Sequence, residues 1–342
     1  MENSRSILII YTGGTIGMIK NSETGVLAPF DFNHILEEVP ELKRFGYNLS
    51  TISFSPIIDS SNLNPEVWKK LASIIKENYN NYDGFVILHG TDTMSYSASA
   101  LSFMLENLNK PVIFTGSQLP IGTIRTDGKE NLISAVEIAA MQKNGQAIAP
   151  EVCVYFENKL MRGNRTTKYS AEHFNAFESP NYPNLAEAGI NINFNFGAVH
   201  YSTNPKELII HSDIDTNIVV IKIFPGINKD ALHTMLNIEG IKAIILETFG
   251  AGNAPTEKWF LDEIKHVVKH KIVLNVTQCI AGSVDMTKYE TGNELLKLGV
   301  ISGYDITTEA AVTKLMHLLG RKYNFSEVKQ KLNESISGEI TK

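Results

Sequence analysis

Cysteine is scarce in this sequence. Only two of the 342 residues are cysteines, and both Cys153 and Cys279 lie in apolar segments that are typical of buried strands. Two thiols so far apart supply neither the disulfide framework of a small secreted domain nor the paired ligands of a zinc site. We therefore expect two reduced thiols in the protein core.

Long apolar runs and an excess of one charge are also missing. No stretch of about 18 apolar residues occurs, and the run ILII at 7–10 is too short for a secretory signal. The formal net charge of −6 gives no electrostatic reason to bind nucleic acid or an anionic membrane. With 43% hydrophobic and 20% charged residues, the chain is not expected to be disordered. These properties predict a soluble, cytoplasmic protein.

What is present is an alternation of short β-branched runs with segments of helical period. Strands are predicted at seven apolar runs, 6–11, 85–89, 111–115, 151–156, 217–224, 242–247 and 271–276. Helix starts are predicted from an N-cap followed by proline and from two capping-box spacings, namely Asn64 with Pro65, Asp127 with Glu130, and Thr291 with Glu294. Strands that are nearly all apolar suit parallel sheets covered on both faces, so we expect an α/β fold.

The length of the chain predicts two domains. A polar, loop-rich stretch around 190–216 interrupts the alternation, which restarts at Asn217. We therefore expect a larger N-terminal parallel-sheet domain at 1–195 and a smaller C-terminal parallel-sheet domain at 215–342, joined by a linker at 196–214.

Three predicted strands are followed by small, hydroxyl-bearing, glycine-rich loops, at 12–17 (TGGTIG), 90–93 (GTDT) and 116–118 (GSQ). Ligands bind open α/β sheets beyond the carboxyl ends of their strands, so these loops should lie side by side at one sheet edge. The first loop suggests a phosphate cradle, yet neither G-x-G-x-x-G nor G-x-x-x-x-G-K-[ST] occurs. Its glycines could also serve only to turn the chain from strand to helix.

Two of these loops offer a threonine, Thr15 and Thr91, and a threonine hydroxyl is a poor nucleophile unless a base takes its proton. His89 is one candidate base, but it lies within an apolar strand and is expected to be a core residue. Lys168 is the other, with a pKa lowered by burial or by the neighbouring Arg162 and Arg165. Taken alone, the segment of Lys168 also fits a solvated basic loop.

The segments that carry these residues resemble the signatures of the bacterial-type L-asparaginases, in particular those of the cytoplasmic, type I branch. The similar segments run in the expected order through nearly the whole chain: YTGGTIGM (11–18), IDSSN (58–62), DGFVILHGTDTM (83–94), VIFTGSQ (112–118), RGNRTTK (162–168), FGAGNAP (249–255), NVTQC (275–279) and DITTEAAVTKL (305–315). The resemblance implies an amidohydrolase that splits L-asparagine into L-aspartate and ammonia. It also implies a larger N-terminal and a smaller C-terminal α/β domain.

The resemblance implies catalytic roles for four residues. Thr15 matches the nucleophilic threonine of the N-terminal loop. Thr91, Asp92 and Lys168 match a second group, in which the lysine helps to deprotonate a threonine or the attacking water. Which threonine attacks first stays open.

Substrate contacts and assembly are implied in the same way. Asp59 and Ser60, with Thr91 and Asp92, match positions that surround the substrate, and Asp59, Ser60 and Asp92 would hold its α-ammonium and α-carboxylate. No cofactor and no metal is implied. In the family, pairs of subunits form the active sites and two pairs make a tetramer, so a homodimer or homotetramer is expected.

The chemistry of amide hydrolysis agrees with glycine-rich loops at this edge. The reaction passes through a tetrahedral oxyanion, which preorganised N–H donors stabilise best. Glycine lets backbone N–H groups approach a ligand closely. We therefore predict that the turns at Gly14-Thr15 and Gly90-Thr91 line the position of the oxyanion.

The sequence departs from the family pattern at two places. Many relatives carry a tyrosine about ten residues after the first threonine, where this chain has Val26 and Leu27. Tyr289, in the C-terminal half, is our candidate for its replacement, and it also fits a surface tyrosine at the start of a helix. Some type I enzymes bind an activating asparagine through an arginine where this chain has Glu247, so we expect weak or absent activation.

Three alternative functions are also compatible with this sequence. A glutaminase-asparaginase of broader specificity would keep these loops, as would the amidase subunit of a tRNA-dependent amidotransferase. That subunit is expected to carry an additional N-terminal module. A protein that binds the amino acid without turning it over would also keep the pocket.

Overall fold

The structure is a computed structural model that describes residues 4–20, 27–29, 39–201 and 206–342. The chain forms two compact units, residues 1–212 and 213–342. Both are built from parallel strands and helices, which confirms the expected α/β class with two domains. The finer boundaries, 1–195 and 215–342, stay a prediction.

The described secondary structure of the first unit comprises sixteen strands and three α-helices. The strands are β1 (Ser6–Tyr11), β2 (Met18–Lys20), β3 (Leu27–Pro29), β4 (Asn48–Ser53), β5 (Gly84–Leu88), β6 (Leu105–Glu106), β7 (Val112–Thr115), β8 (Gln142–Lys143), β9 (Gln146–Ala147), β10 (Val152–Phe156), β11 (Lys159–Arg162), β12 (Thr167–Lys168), β13 (Phe177–Glu178), β14 (Ala186–Ala188), β15 (Ile192–Phe194) and β16 (Ile209–Ile210). The helices are α1 (Pro65–Asn78), α2 (Met94–Met104) and α3 (Gly128–Ala140).

The main sheet of this unit has the strand order β15-β14-β11-β10-β7-β5-β1-β4 in the described residues. The five strands from β10 to β4 are parallel, whereas β11, β14 and β15 pair antiparallel. All residues of β5 and β10 are buried, as expected for strands covered on both faces. The sequence did not predict β4, because this edge strand (NLSTIS) is polar and only partly buried.

The register of the parallel strands aligns the three glycine-rich loops. Tyr11 at the end of β1 pairs with Leu88 at the end of β5, and Leu88 pairs with Thr115 at the end of β7. The loops therefore leave the same edge of the sheet at the same height, which confirms that expectation.

The helices around this sheet begin partly as predicted. Asn64 caps α1 by accepting a hydrogen bond from the Glu66 N–H at 3.0 Å, and Pro65 is the first helical residue. The capping box expected from Asp127 and Glu130 is wrong, because the Asp127 side chain makes no cap bond to α3. Its carboxylate accepts instead from the N–H groups of Gln118 and Leu119, and so it holds the loop after β7.

The second unit contains four parallel strands in the order β17-β18-β19-β20 and five described α-helices. The elements are β17 (Ile218–Lys222), β18 (Ala243–Thr248), β19 (Ile272–Thr277), β20 (Ile301–Ser302), α4 (Lys229–Leu236), α5 (Lys258–Val267), α6 (Glu290–Leu298), α7 (Thr308–Gly320) and α8 (Phe325–Leu332). All seven predicted strands of the chain are thus present, with their ends shifted by at most two residues.

Two expectations in the second unit are wrong. Cys279 is exposed, because β19 ends at Thr277 and the chain has already left the sheet, whereas Cys153 is buried in β10 as expected. Thr291 and Glu294 form no capping box, since α6 begins at Glu290 and Thr291 lies inside it. The Thr291 hydroxyl donates instead to Asn253 Oδ1 at 2.7 Å.

None of the described helices is both long and apolar enough to cross a membrane.

Within the second unit, a buried ion pair joins the C-terminal segment after α8 to the helix α7. Lys314 of α7 lies 2.6 Å from Glu339, and their side chains are 1% and 0% exposed. Lys314 Nζ also donates to the carbonyl of Glu334, and Glu339 accepts from the N–H groups of Ile336 and Ser337. Each buried charge is thereby compensated by a partner and by hydrogen bonds.

We expect Lys314→Met to lower the free energy of unfolding by about 3–5 kcal/mol, because it leaves the Glu339 carboxylate buried without its counter-ion. Urea unfolding of the intact chain measures this change. Lys242→Met is the control, since Lys242 pairs with Asp215 but is 54% exposed, and it should cost at most about 1 kcal/mol. Equal losses of unfolding free energy in the two variants would contradict the conclusion that the buried ion pair stabilises the fold more than the exposed one.

Candidate active site

The loop after β1 is pinned against its neighbours by two glycines with positive φ. Thr12 donates to the Leu88 carbonyl through its N–H at 3.0 Å and through its hydroxyl at 2.9 Å. Gly13 (φ +140°) and Gly14 (φ +94°) follow, in backbone conformations that residues with a side chain rarely adopt. A Cβ atom on Gly13 would lie 2.0 Å from the Ile58 carbonyl oxygen. The loop can therefore take this path only with glycine.

The loops after β1 and β5 touch through their backbones. A Cβ atom on Gly14 would lie 2.6 Å from the Cα atom of Gly90. Since each glycine directly precedes a threonine, Thr15 and Thr91 lie on loops that are in contact. Thr15 begins the short 3₁₀ helix at 15–17, and Thr91 begins the one at 91–93, which leads into α2.

A third loop, at 58–62, completes this contact. A Cβ atom on Gly90 would lie 2.5 Å from Ser60 Oγ, and the Thr93 hydroxyl donates to the Ser60 carbonyl at 2.8 Å. The neighbouring Asp59 is exposed, and its carboxylate accepts from the N–H and the hydroxyl of Ser61, both at 2.9 Å. These hydrogen bonds, first of all the one from the backbone, lower the pKa of Asp59. The structure thus brings an ionised carboxylate and a buried serine next to the threonine loops.

Lys168 joins the loop after β5 from a distant part of the chain. It lies on β12, which pairs with β13 in a two-stranded sheet. Its Nζ atom donates to Thr91 Oγ1 at 2.9 Å and to Asp92 Oδ1 at 2.6 Å. The interpretation of this segment as a solvated basic loop is therefore wrong.

The arginines near Lys168 in sequence have other partners. Arg162 is buried and forms an ion pair with Glu151 at 2.6 Å, and its guanidinium lies 4.4 Å from the centre of the Tyr182 ring. Arg165 is also buried and faces the same ring at 5.1 Å. The charged group in contact with Lys168 is thus the Asp92 carboxylate. These contacts of Arg162 and Arg165 stabilise the segment that leads to Lys168.

Gln118 is a site residue that the sequence analysis did not single out. The Thr91 hydroxyl donates to Gln118 Oε1 at 3.4 Å. Gln118 Nε2 in turn donates to the carbonyls of Ala171 and His173 at 3.2 and 3.1 Å. The Thr91 hydroxyl therefore lies between an amide oxygen and the Lys168 amine. The position of Gln118 in the loop three residues after the end of the parallel strand β7 was the available signal.

His89 is a buried core residue, as expected. Burial lowers its pKa to about 4, so the imidazole is neutral at neutral pH. Its Nδ1 atom lies 2.7 Å from the carbonyl oxygen of Gly90.

Tyr289 and Glu247 lie in the second unit, and the positions without the expected tyrosine lie at the start of β3 or just before it. Tyr289 is exposed at the N-cap position of α6, with Lys288 Nζ 5.6 Å from the centre of its ring. Glu247 Oε1, near the end of β18, accepts from the Thr308 hydroxyl at 2.8 Å. Val26 lies outside the described residues, and Leu27 is the first residue of β3.

The site has no built metal position within the described residues. No group of three or more histidine, cysteine, aspartate or glutamate side chains is arranged there to hold a metal ion. Its polar groups are hydroxyls, carboxylates, an amine, the carboxamide of Gln118 and backbone amides.

Comparisons with known proteins cover nearly the whole chain. Residues 6–200 match the family model described as "Asparaginase, N-terminal", and residues 217–332 match the "Glutaminase/Asparaginase C-terminal domain". The chain is 44% identical to L-asparaginase 1 of Escherichia coli (strain K12), over 98% of each protein.

Solved structures show the same similarity. L-asparaginase I from Vibrio cholerae superposes with a TM-score of 0.89 at 43% identity, over 99% of both chains. The thermostable L-asparaginase from Thermococcus kodakarensis gives a TM-score of 0.89 at 34% identity, over 98% of this chain and 99% of that one.

We expect Gly14→Ala to lower the free energy of unfolding by about 2–4 kcal/mol, because the methyl group adds a clash with Gly90 to the strain of a positive φ. Gly46→Ala is the matched control. Gly46 also has a positive φ, +67°, but a Cβ atom there meets nothing within 4 Å, so only strain of about 1–2 kcal/mol applies. Urea unfolding of both variants separates the two terms, and an equal loss would argue against the backbone contact.

Proposed function

The chain belongs to the asparaginase family, and from that premise we propose that it hydrolyses L-asparagine to L-aspartate and ammonia. The observation that carries the proposal is the contact of Lys168 Nζ with both Thr91 Oγ1 and Asp92 Oδ1, at 2.9 and 2.6 Å. An activated nucleophile needs a neighbouring group that can take its proton, and here a hydroxyl is hydrogen-bonded to an amine at the carboxyl end of a parallel strand.

A threonine hydroxyl, of Thr15 or Thr91, makes the first attack in this proposal. Its oxygen forms a bond to the carboxamide carbon while its proton passes to a base, for which Lys168 in its uncharged form is our candidate. The C–N bond then breaks as the amide nitrogen receives a proton and leaves as ammonia. Water hydrolyses the resulting ester by the same steps and releases aspartate.

The N–H groups of the two touching loops are proposed to stabilise the oxyanion. Thr15 and Thr91 each start a short 3₁₀ helix, where N–H groups have no partner within the helix. The second of these helices continues into α2, so its amino end also presents the positive end of a helix dipole. Donors fixed in advance at the developing charge typically contribute the largest single share of such catalysis.

Asp59, Ser60 and Asp92 are proposed to hold the substrate's amino-acid end. The lowered pKa of Asp59 keeps its carboxylate ionised at neutral pH, which suits an α-ammonium group. Ser60 offers a hydroxyl next to Gly90 that suits the α-carboxylate. Glutamine differs from asparagine by one methylene, which is worth only about 1–3 kcal/mol in a pocket. A broader glutaminase-asparaginase is therefore the second candidate function.

We also propose a homodimer or homotetramer in the cytoplasm and a role for Tyr289 in place of the tyrosine that the N-terminal loop lacks. These proposals rest on the family resemblance and on the exposure of Tyr289. The substrate is a small molecule, with neither nucleic acid nor a membrane as a partner.

We expect the wild-type protein to release ammonia from L-asparagine. Thr15→Val and Thr91→Val should each lower kcat at least about 1000-fold, because they remove a hydroxyl and keep the side-chain volume. Thr234→Val, on the exposed face of α4, is the control and should change nothing. A protein that binds aspartate and releases no ammonia would be a sensor, which would refute the proposal.

We expect the rate to rise hyperbolically with asparagine concentration, with a Hill coefficient of about 1. Glu247 places a carboxylate, already bonded to the Thr308 hydroxyl, where an activating asparagine would need a cation for its own carboxylate. Initial rates over a wide range of asparagine at one enzyme concentration measure the curve. A sigmoidal curve would contradict this expectation.

A further inference from the structure

The carbonyl of the peptide group between Gly90 and Thr91 contacts a buried side chain. The Gly90 carbonyl oxygen lies 2.7 Å from Nδ1 of the buried His89 ring. This peptide bond is trans, since the cis bond among the described residues is Ser55–Pro56. A trans peptide is planar, with its N–H opposite its C=O. The carbonyl points toward the buried ring, so the Thr91 N–H points the opposite way.

The hydrogen bonds around His89 define which of its nitrogens carries the proton. Trp68 Nε1 donates to Ser97 Oγ at 3.0 Å, because an indole N–H can only donate. The Ser97 hydroxyl is then available to donate to His89 Nε2 at 2.9 Å. With Nε2 accepting, the hydrogen of the neutral ring lies on Nδ1, where it can be donated to the Gly90 carbonyl.

This chain of donors is rigid because it is enclosed. His89 is 1% exposed and Ser97 0%, and the ring of Phe114 packs edge-on against His89 with centroids 5.7 Å apart. The Gly90 loop is also confined from the other side by Gly14. The peptide therefore has little freedom to rotate about its flanking bonds.

The Thr91 N–H is left available for a ligand. Among the described residues it donates to no backbone carbonyl, and it lies at the first position of a 3₁₀ helix, where no intrahelical acceptor exists. The hydroxyl of the same residue is the one that contacts Lys168. A donor on this residue is therefore adjacent to the reacting groups.

We propose that His89 is a positioning residue, whose Nδ1–H holds the Gly90 carbonyl so that the Thr91 N–H is aimed at the oxyanion. The inference rests on the proposed hydrolysis of asparagine. His89 itself touches no reacting atom and exchanges no proton with the substrate. It acts on the transition state through one peptide group.

Three substitutions at His89 separate this role from simple filling of the core. His89→Asn keeps an N–H donor near the position of Nδ1. His89→Gln places its amide near Nε2, toward Ser97, and His89→Phe keeps a ring in apolar surroundings without any donor. We expect kcat to fall at least about tenfold in the Gln and Phe variants, as part of the 100- to 1000-fold that an oxyanion donor contributes. The Asn variant should stay within about threefold of wild type.

Substrate binding should be nearly unchanged in all three, because an oxyanion forms only after binding. KM for asparagine and the dissociation constant of aspartate by calorimetry measure this. The control is His317→Gln, which alters a buried histidine of α7 in the second unit and should leave kcat unchanged. Using both Gln and Phe keeps the test informative if one of them fails to fold.

The possible failures are distinguishable. Wild-type protein that releases no ammonia would refute the proposed function. Active wild-type protein with a kcat within about threefold in the Gln and Phe variants would refute only the role of His89. A loss in the Asn variant as deep as in the Gln variant would also overturn it, as would an equal loss in His317→Gln.

Discussion

The contact of three backbone loops at one sheet edge is the constraint on which the candidate site depends. Gly13, Gly14 and Gly90 let the loops after β1 and β5 and the loop around Ser60 approach until their backbones touch. A side chain at any of these glycines would overlap another loop. Two threonines from separate parts of the sequence thereby reach one place, and their N–H groups lie at the start of short helices.

Lys168 reaches the candidate site from a segment outside the three loops. It sits on a two-residue strand, too short to be rigid by itself, and the buried ion pair of Arg162 with Glu151 fixes the preceding segment. Gln118 ties the following segment back through the carbonyls of Ala171 and His173. The amine is thus held from both sides of the chain, which is what a precise contact with a hydroxyl requires.

Two side chains beside the candidate site hold the backbone of its loops through hydrogen bonds. His89 is hydrogen-bonded through Ser97 to Trp68 on one side, and on the other its Nδ1 atom contacts the carbonyl of the Gly90–Thr91 peptide. Asp127 holds the loop after β7 through two N–H groups instead of capping its own helix. In both cases a polar side chain, buried in His89 and partly buried in Asp127, satisfies a loop backbone, so loops without regular structure acquire fixed directions.

The sequence determined seven of the strands, the α/β class and the sheet edge at which the candidate site lies, because apolar runs and glycine-rich loops are local signals. It also identified Thr15, Thr91 and Lys168 as candidates. Only the tertiary structure decided that Cys279 is exposed, that Asp127 serves a loop, and that the charged partner of Lys168 is Asp92. Lys168 and Thr91 are 77 residues apart in sequence, and pairings of that kind depend on how strands and loops assemble, which no local pattern encodes.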